Sequence, residues 1–146
     1  MAESFIMIKE DYKNVYKEWV AITGCEAEEI TDEVIIFEDM KFEDSDGWCL
    51  ITTSYGDNFA EEILLQLSAG KRMLYFFSDE DQLDCEFLVI DNNDIIRKKY
   101  IYADTPELNM DEGRLQCESE NEFLKWNDID KFIEIAREAP EQLFKN

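Results

Sequence analysis

The sequence predicts an α+β domain whose antiparallel sheet has about five or six strands, with an N-terminal helix and a C-terminal helix. Three observations predict this class: apolar residues at helical spacing near both termini, strand-like segments between them, and turn-forming clusters that separate those segments. The length of 146 residues, without a Gly-, Ser- or Pro-rich linker, indicates a single domain over residues 1–146.

The first predicted helix covers Lys9–Thr23, and Gly24 supplies its C-terminal stop. The apolar residues that share one face at helical spacing are Ile8, Tyr12, Val15, Tyr16, Trp19 and Ile22. The second predicted helix covers Asp128–Glu138, where Asn127 suits the N-cap and Pro140 ends the helix. We therefore expect each helix to bury one apolar face.

Strand-like segments lie between the two helices. Glu33–Glu38 and Gly47–Thr53 are short, contain β-branched or aromatic residues, and are bounded by Asp or Gly. Phe87–Ile90 and Ile95–Tyr102 flank the turn-forming residues Asp91–Asp94, which predicts an antiparallel hairpin.

The segment Glu62–Ser68 allows two interpretations. It continues as a helix from Asn58, or it forms a strand that pairs with Met73–Phe77. The apolar residues that alternate in this segment are Ile63, Leu65 and Leu67. Alternation is typical of a strand, so the hairpin is the favoured interpretation.

The composition excludes much catalytic chemistry. The chain has no histidine, which is the residue most used for general acid–base catalysis and as a transition-metal ligand. Its four cysteines are widely spaced, which is untypical of a zinc site or a disulfide framework, so we expect small buried thiols at Cys25, Cys49, Cys85 and Cys117. We therefore expect no enzymatic activity, no metal and no cofactor.

The N-terminal segment indicates a cytoplasmic location. It places an acid at Glu3 and has only a short apolar stretch before Lys9, whereas a secretory signal has a basic start and a longer apolar region. No segment approaches the 18 or so apolar residues of a membrane-spanning helix. We expect a soluble protein that does not bind membranes.

The charge is strongly acidic and unevenly distributed. The chain has 36 acidic and 14 basic residues, for a net charge of −22. Residues 26–46 hold ten acids and one base, and residues 79–94 hold seven acids and no base. Such acids keep a protein soluble, or they meet a basic partner. The size of the imbalance favours the partner, because self-repulsion opposes folding; contact with nucleic acid is disfavoured.

Two acidic groups are the predicted partner-binding site. The first is Glu43, Asp44 and Asp46 with Trp48, and the second is Asp79, Glu80, Asp81 and Asp84. Trp48 follows directly on an acidic turn and is either a core residue or an aromatic anchor at the interface, since tryptophan is enriched at interface hot spots.

Four stretches carry a family resemblance: Gly47–Thr53, Gly56–Glu61, Leu74–Phe77 and Asp128–Glu138. With them the chain resembles the small acidic immunity proteins of bacterial contact-dependent and polymorphic toxin systems. The resemblance is greatest to partners of EndoU-type ribonuclease toxins, including those of the Maf type.

The resemblance implies a non-enzymatic inhibitor that is made in the cytoplasm, binds one toxin nuclease domain and protects the producing cell. Combined with the charge, it predicts a 1:1 complex with a basic toxin nuclease, in which the two acidic groups contact the toxin. Two alternatives stay open. One is a nucleic-acid mimic that inhibits a DNA-binding protein, and the other is a non-enzymatic adaptor that acts through its C-terminal helix.

Overall fold

The computed structural model describes residues 2–27, 29–37, 39–54, 56, 58–115 and 129–144. The strands are β1 Ala2–Ile8, β2 Glu29–Ile30, β3 Val34–Phe37, β4 Met40–Ser45, β5 Trp48–Thr53, β6 Arg72–Asp79, β7 Asp84–Asp91, β8 Asp94–Ile101 and β9 Met110–Gly113. They form one antiparallel sheet in the order β2-β3-β4-β5-β1-β6-β7-β8-β9. The predicted α+β class is confirmed, whereas five or six strands were too few.

Helices cover both faces of the sheet. Helices α1 (Tyr12–Thr23) and α2 (Glu61–Leu67) pack on one face, against apolar residues from β1, β3, β4, β5, β6 and β7. Helix α3 (Ile129–Glu138) and the 3₁₀ turn Pro140–Phe144 pack on the other face. The described residues therefore form three layers, because a sheet with two apolar faces must cover both.

Helix α1 begins later than the predicted Lys9. The chain is still tied to the sheet at Lys9, whose N–H donates to the carbonyl of Arg72 at 3.0 Å. Asp11 then caps the helix, since its carboxylate accepts the N–H of Lys13 at 2.8 Å. Gly24 ends it in the left-handed region with φ 74°, as predicted.

The favoured strand at Glu62–Ser68 was wrong, because this segment is the helix α2. Leu64 and Leu67, three residues apart, are fully buried on its inner face. The partner segment Met73–Phe77 is indeed a strand and belongs to β6, but β6 pairs with β1 and β7. Both edges of β6 are occupied, so the hairpin had no free edge to use.

The other predicted strands are confirmed. β3 lies within Glu33–Glu38, of which Glu38 lies outside the described residues, and β5 lies within Gly47–Thr53. β7 and β8 form the predicted hairpin. Its turn places Asn92 and Asn93 at φ 50° and 74°, which is the left-handed pair that a tight two-residue hairpin turn requires.

The C-terminal helix lies where it was predicted. Its described residues begin at Ile129, while Asn127 and Asp128 lie outside the described residues. Ala136 is fully buried, and Ile133 packs partly against the sheet. Pro140 follows the helix after one residue, Ala139, and opens the 3₁₀ turn that buries Leu143.

Two of the predicted buried thiols are confirmed. Cys49 and Cys85 are buried on the sheet, and Cys25 is half-buried after α1. Burial raises the pKa of Cys85 to about 12, and it raises the pKa of Cys49 further. Cys117 lies outside the described residues.

Gly113, at the end of β9, has no room for a side chain. A Cβ there would lie 2.2 Å from the carbonyl oxygen of Ile96, and its φ is +79°. Gly47 has a similar φ of +86° but open space around the position of a Cβ. We expect Gly47→Ala to cost about 1–2 kcal/mol from backbone strain alone. We expect Gly113→Ala to cost about 1–3 kcal/mol more, from the clash.

Urea unfolding of the two alanine variants measures this difference directly, because the backbone contribution is shared. Equal losses in the free energy of unfolding would contradict the close approach of β9 to Ile96.

Candidate partner-binding surface

The two acidic groups lie in two hairpins of the sheet. Glu43 and Asp44 are on β4, Asp46 is in the turn to β5, and Trp48 is the first residue of β5. We call these four residues the β4–β5 cluster. Asp79 ends β6, Asp84 begins β7, and Glu80 and Asp81 lie between; we call these four the β6–β7 cluster. The strands thus present each group as a local cluster of acids.

The two clusters lie at opposite ends of the sheet. β5 begins beside the end of β1, where Cys49 pairs with Ile8, so the β4–β5 cluster is at the Ile8 end. Asp79 pairs with Ala2, so the β6–β7 cluster is at the Ala2 end. The intervening strand rises roughly 20 Å, and three strand spacings add roughly 14 Å across the sheet. The prediction grouped them as one binding site, but the structure does not bring them together.

Basic groups partly compensate the β4–β5 cluster. Lys41 Nζ lies 3.3 Å from the carboxylate of Glu43. Asp46 lines a cavity of about 280 Å³ between this hairpin and the end of α3, and the same cavity is lined by Lys9 and Arg137. This end of the molecule therefore combines both signs of charge.

Trp48 is a core residue rather than an exposed anchor. Its side chain is 2% exposed and its ring stacks on that of Phe144, with centroids 5.7 Å apart. The ammonium of Lys9, from the same chain, lies 5.1 Å from the centroid of the Trp48 ring. The interpretation of Trp48 as an exposed interface residue is corrected on this ground, because β5 alternates its side chains and aims Trp48 at the α3 face.

Backbone hydrogen bonds orient two carboxylates of the β6–β7 cluster, those of Asp79 and Asp84. Asp79 Oδ1 accepts the N–H of Asp81 at 3.0 Å, and Asp84 Oδ1 accepts the N–H of Ala103 at 3.2 Å. Among the described side chains, no lysine or arginine forms an ion pair with Asp79, Glu80 or Asp84. Asp79, Glu80 and Asp84 therefore keep negative charge that no described lysine or arginine compensates.

The densest run of basic residues, on β8, is used inside the fold. Arg97 is 1% exposed and its guanidinium lies 2.6 Å from Asp111 Oδ1. Lys98 Nζ lies 2.6 Å from Glu61, and Lys99 Nζ lies 2.7 Å from Asp111. The hydrogen bonds from Lys99 and Arg97 hold the pKa of Asp111 below its ordinary value. This run is therefore not a basic surface.

Other cations are also paired with acids. Arg72 bridges Asp91 and Glu141, and Lys9 pairs with Glu141 at 3.0 Å. Lys71 pairs with Glu10 at 3.1 Å. Hydrogen bonds from Lys9 and Lys71 lower the pKa of Glu141 and of Glu10 respectively. Because these bases form ion pairs with acids of the same chain, the excess of acids lies on the exposed loops.

A buried polar network was missed by the sequence analysis. Glu86, on β7, is 6% exposed and its carboxylate accepts hydrogen bonds from Tyr75 Oη at 2.7 Å and from Tyr102 Oη. Burial first, and then the nearby Glu86, raises the pKa of both tyrosines. The available signal was a single acid inside the apolar strand 85–90. This network holds β6, β7 and the chain after β8 together.

Potential metal ligands are scattered rather than grouped in the part of the chain that the structure describes. Nowhere in the described ranges do three acidic or cysteine side chains come together as potential metal ligands. None of the helices described is both long and apolar enough to cross a membrane. What the two acidic clusters can do chemically is to present carboxylates to cations at both ends of the sheet.

Comparisons with protein-family models, with curated proteins and with solved structures found no match for this chain.

Proposed function

We propose that this protein is an immunity protein, which binds a basic toxin nuclease domain in a 1:1 complex and neutralises it in the cytoplasm of the producing cell. The observation that carries the proposal is the pairing of basic side chains inside the fold. Arg97, Lys98 and Lys99 are paired with acids of α2 and β9, while Asp79 and Asp84 of the β6–β7 cluster accept backbone N–H groups.

The net charge of −22 on 146 residues leaves acids in large excess at the surface, because the basic run Arg97–Lys99 is paired inside the fold. A surface of this kind repels nucleic acid and attracts proteins that carry a basic cleft. Enzymes that act on nucleic acids carry such clefts in order to hold phosphates. Carboxylates presented from a rigid hairpin can occupy those phosphate positions, which supports an inhibitory role.

The β6–β7 cluster is the favoured contact. Lys41 compensates Glu43 in the β4–β5 cluster, whereas the Ala2 end presents Asp79, Glu80 and Asp84 without a lysine or arginine partner among the described side chains. A cation from the partner therefore meets Asp79, Glu80 and Asp84 with no internal ion pair to break first, whereas at Glu43 it competes with Lys41.

We expect the gene directly upstream to be large and to end in a basic toxin domain, and the experiment uses that domain. We expect the purified protein to bind that toxin domain with a nanomolar or lower dissociation constant. We expect the association rate constant to fall at least about tenfold between 50 and 500 mM salt, with a much smaller change in dissociation rate. Growth rescue of cells expressing the toxin is the parallel readout.

Absence of binding and of rescue would rule out the immunity role. Tight binding whose association rate ignores salt would retain the role and reject the acidic surface as its basis. An unrelated basic nuclease is the control for non-specific attraction.

A further inference from the structure

Leu83 is an exposed apolar residue in an unfavourable backbone conformation. It lies in the β6–β7 turn with φ 57°, and 48% of its surface is exposed. The left-handed region suits glycine or asparagine and is costly for leucine. Neither burial nor backbone preference explains a leucine at this position.

Other exposed apolar side chains lie at the same end of the sheet. Leu108 is 59% exposed and Met110 is 37% exposed, in the connection from β8 and at the start of β9. One hydrogen bond joins this connection to the β6–β7 hairpin, because Ala103 N–H donates to Asp84 at 3.2 Å. A second, from Tyr102 N–H to Asn109 Oδ1 at 2.7 Å, closes the connection on itself. The Ala2 end therefore presents apolar side chains from one braced surface.

The charge around Leu83 identifies what kind of surface would cover it. Glu80 and Asp84 flank it in the same turn, and Asp79 lies directly across from Asp84 in the hairpin. A partner must bring cations to the carboxylates and an apolar recess to the leucine. Single-stranded nucleic-acid clefts combine these features, because cationic groups hold phosphates beside apolar or aromatic surfaces that hold bases.

We propose that Leu83 inserts into the nucleotide-binding cleft of the toxin nuclease, with the flanking carboxylates in place of phosphates. This inference rests on the proposed function and extends it by placing the inhibitor in the substrate cleft rather than beside it. Inhibition is then competitive with single-stranded nucleic acid. Leu83 is the apolar anchor, and the acids around it set orientation and association rate.

The test replaces Leu83 by asparagine, which tolerates a positive φ and removes the apolar side chain. We expect Leu83→Asn to unfold at the same temperature as the original protein or higher, and to raise the dissociation constant about 30-fold or more. Ile30→Asn is the matched control, because Ile30 is 63% exposed on β2, at the far edge of the sheet. The control should bind within about threefold of the original protein.

A competition experiment places the anchor. A short single-stranded oligonucleotide, of a length that a nuclease cleft holds, is added to the complex between this protein and a catalytically inactive toxin domain. We expect the oligonucleotide to displace the protein from the toxin domain. If Leu83→Asn binds like the original protein, Leu83 is not the anchor. If the oligonucleotide and the protein bind together, the cleft assignment is wrong. Both results presuppose binding by the original protein, so they are distinct from failure of the immunity role itself.

Discussion

Replacing Glu86 by alanine is expected to lower the free energy of unfolding by about 3–5 kcal/mol. The Glu86 carboxylate is buried between Tyr75 and Tyr102 and accepts a hydrogen bond from each hydroxyl. Alanine leaves both hydroxyl donors without their acceptor and opens a cavity between β6 and β7. Each loss alone costs about 1–3 kcal/mol, and here they fall at one site.

Urea unfolding of four variants, each compared with the original protein, separates these contributions to the free energy of unfolding. Glu86→Gln keeps the shape and one acceptor oxygen, so it should cost less than Glu86→Ala. Tyr102→Phe removes one donor and should cost about 1 kcal/mol. The double variant Glu86→Ala with Tyr102→Phe should be more stable than the sum of the single losses predicts, because fewer donors are left without a partner. A loss below about 1 kcal/mol for Glu86→Ala would contradict the network.

The network also connects the core to the proposed binding surface. Tyr102 precedes Ala103, whose N–H bonds to Asp84 in the β6–β7 cluster. The hydroxyl of Tyr75, besides donating to Glu86, accepts the N–H of Phe59 before α2. Glu86 is thus a positioning residue for the Ala2 end, even though it lies too deep to touch a partner.

Helical periodicity was enough to predict α1 and α3. Helix α1 buries Tyr12, Val15 and Trp19 at helical spacing, and among the described side chains of α3 Ala136 is buried. The periodicity failed for α2, where Ile63, Leu65 and Leu67 alternate like a strand while the fully buried residues are Leu64 and Leu67. A helix of seven residues has fewer than two turns, so its helical period of about 3.6 residues cannot be distinguished in sequence from the two-residue alternation of a strand.

Strands that depend on distant partners were not predicted. β1 is central, between β5 and β6, yet its sequence shows only a short apolar stretch at the start of the chain. In β4, Met40 and Phe42 point inward and Lys41 points outward. The acidic residues later in the strand made this alternation hard to recognise in the sequence. β9 is exposed along its whole length and exists through its pairing with β8. Local preference carries little information about such strands.

The candidate site was predicted by residue but not by geometry. The acids of both clusters lie in hairpin turns or on the strand ends beside them, as the concentration of acids between predicted strands suggests. Their positions at opposite ends of the sheet follow from the strand order, which the sequence does not show. Arg97–Lys99 look like a basic surface in sequence, whereas Asp111 and Glu112 on β9 neutralise them across the strands. Leu83 is visible in sequence as an apolar residue among acids, and its exposure needed the structure.

Reversing Glu80 and Asp81 to lysine is expected to slow association with the toxin domain by about ten- to a hundredfold at low salt. Both side chains are exposed at the tip of the β6–β7 turn, so they act on the approach of the partner. Rim charges act mainly on encounter, because Coulomb attraction extends over about 10 Å at moderate salt while packing contacts do not.

The matched control reverses Asp44 and Asp46, which are likewise exposed, in the β4–β5 cluster. Each double reversal changes the net charge by the same four units, so any effect of total charge is common to both. Association of the control should change by less than about threefold, because that end lies roughly 20 Å away along the strands. Stopped-flow association at several salt concentrations measures both variants, and thermal unfolding verifies that each is folded.

The comparison decides which end of the sheet faces the partner. A larger effect of Asp44 and Asp46 would move the contact to the Ile8 end, where Lys9 and Arg137 line the cavity beside Asp46. Equal effects would mean that attraction depends on total charge without a preferred surface, and specific docking by the β6–β7 cluster would be wrong. Slower association confined to Glu80 and Asp81 is the result that local charge, rather than net charge, requires.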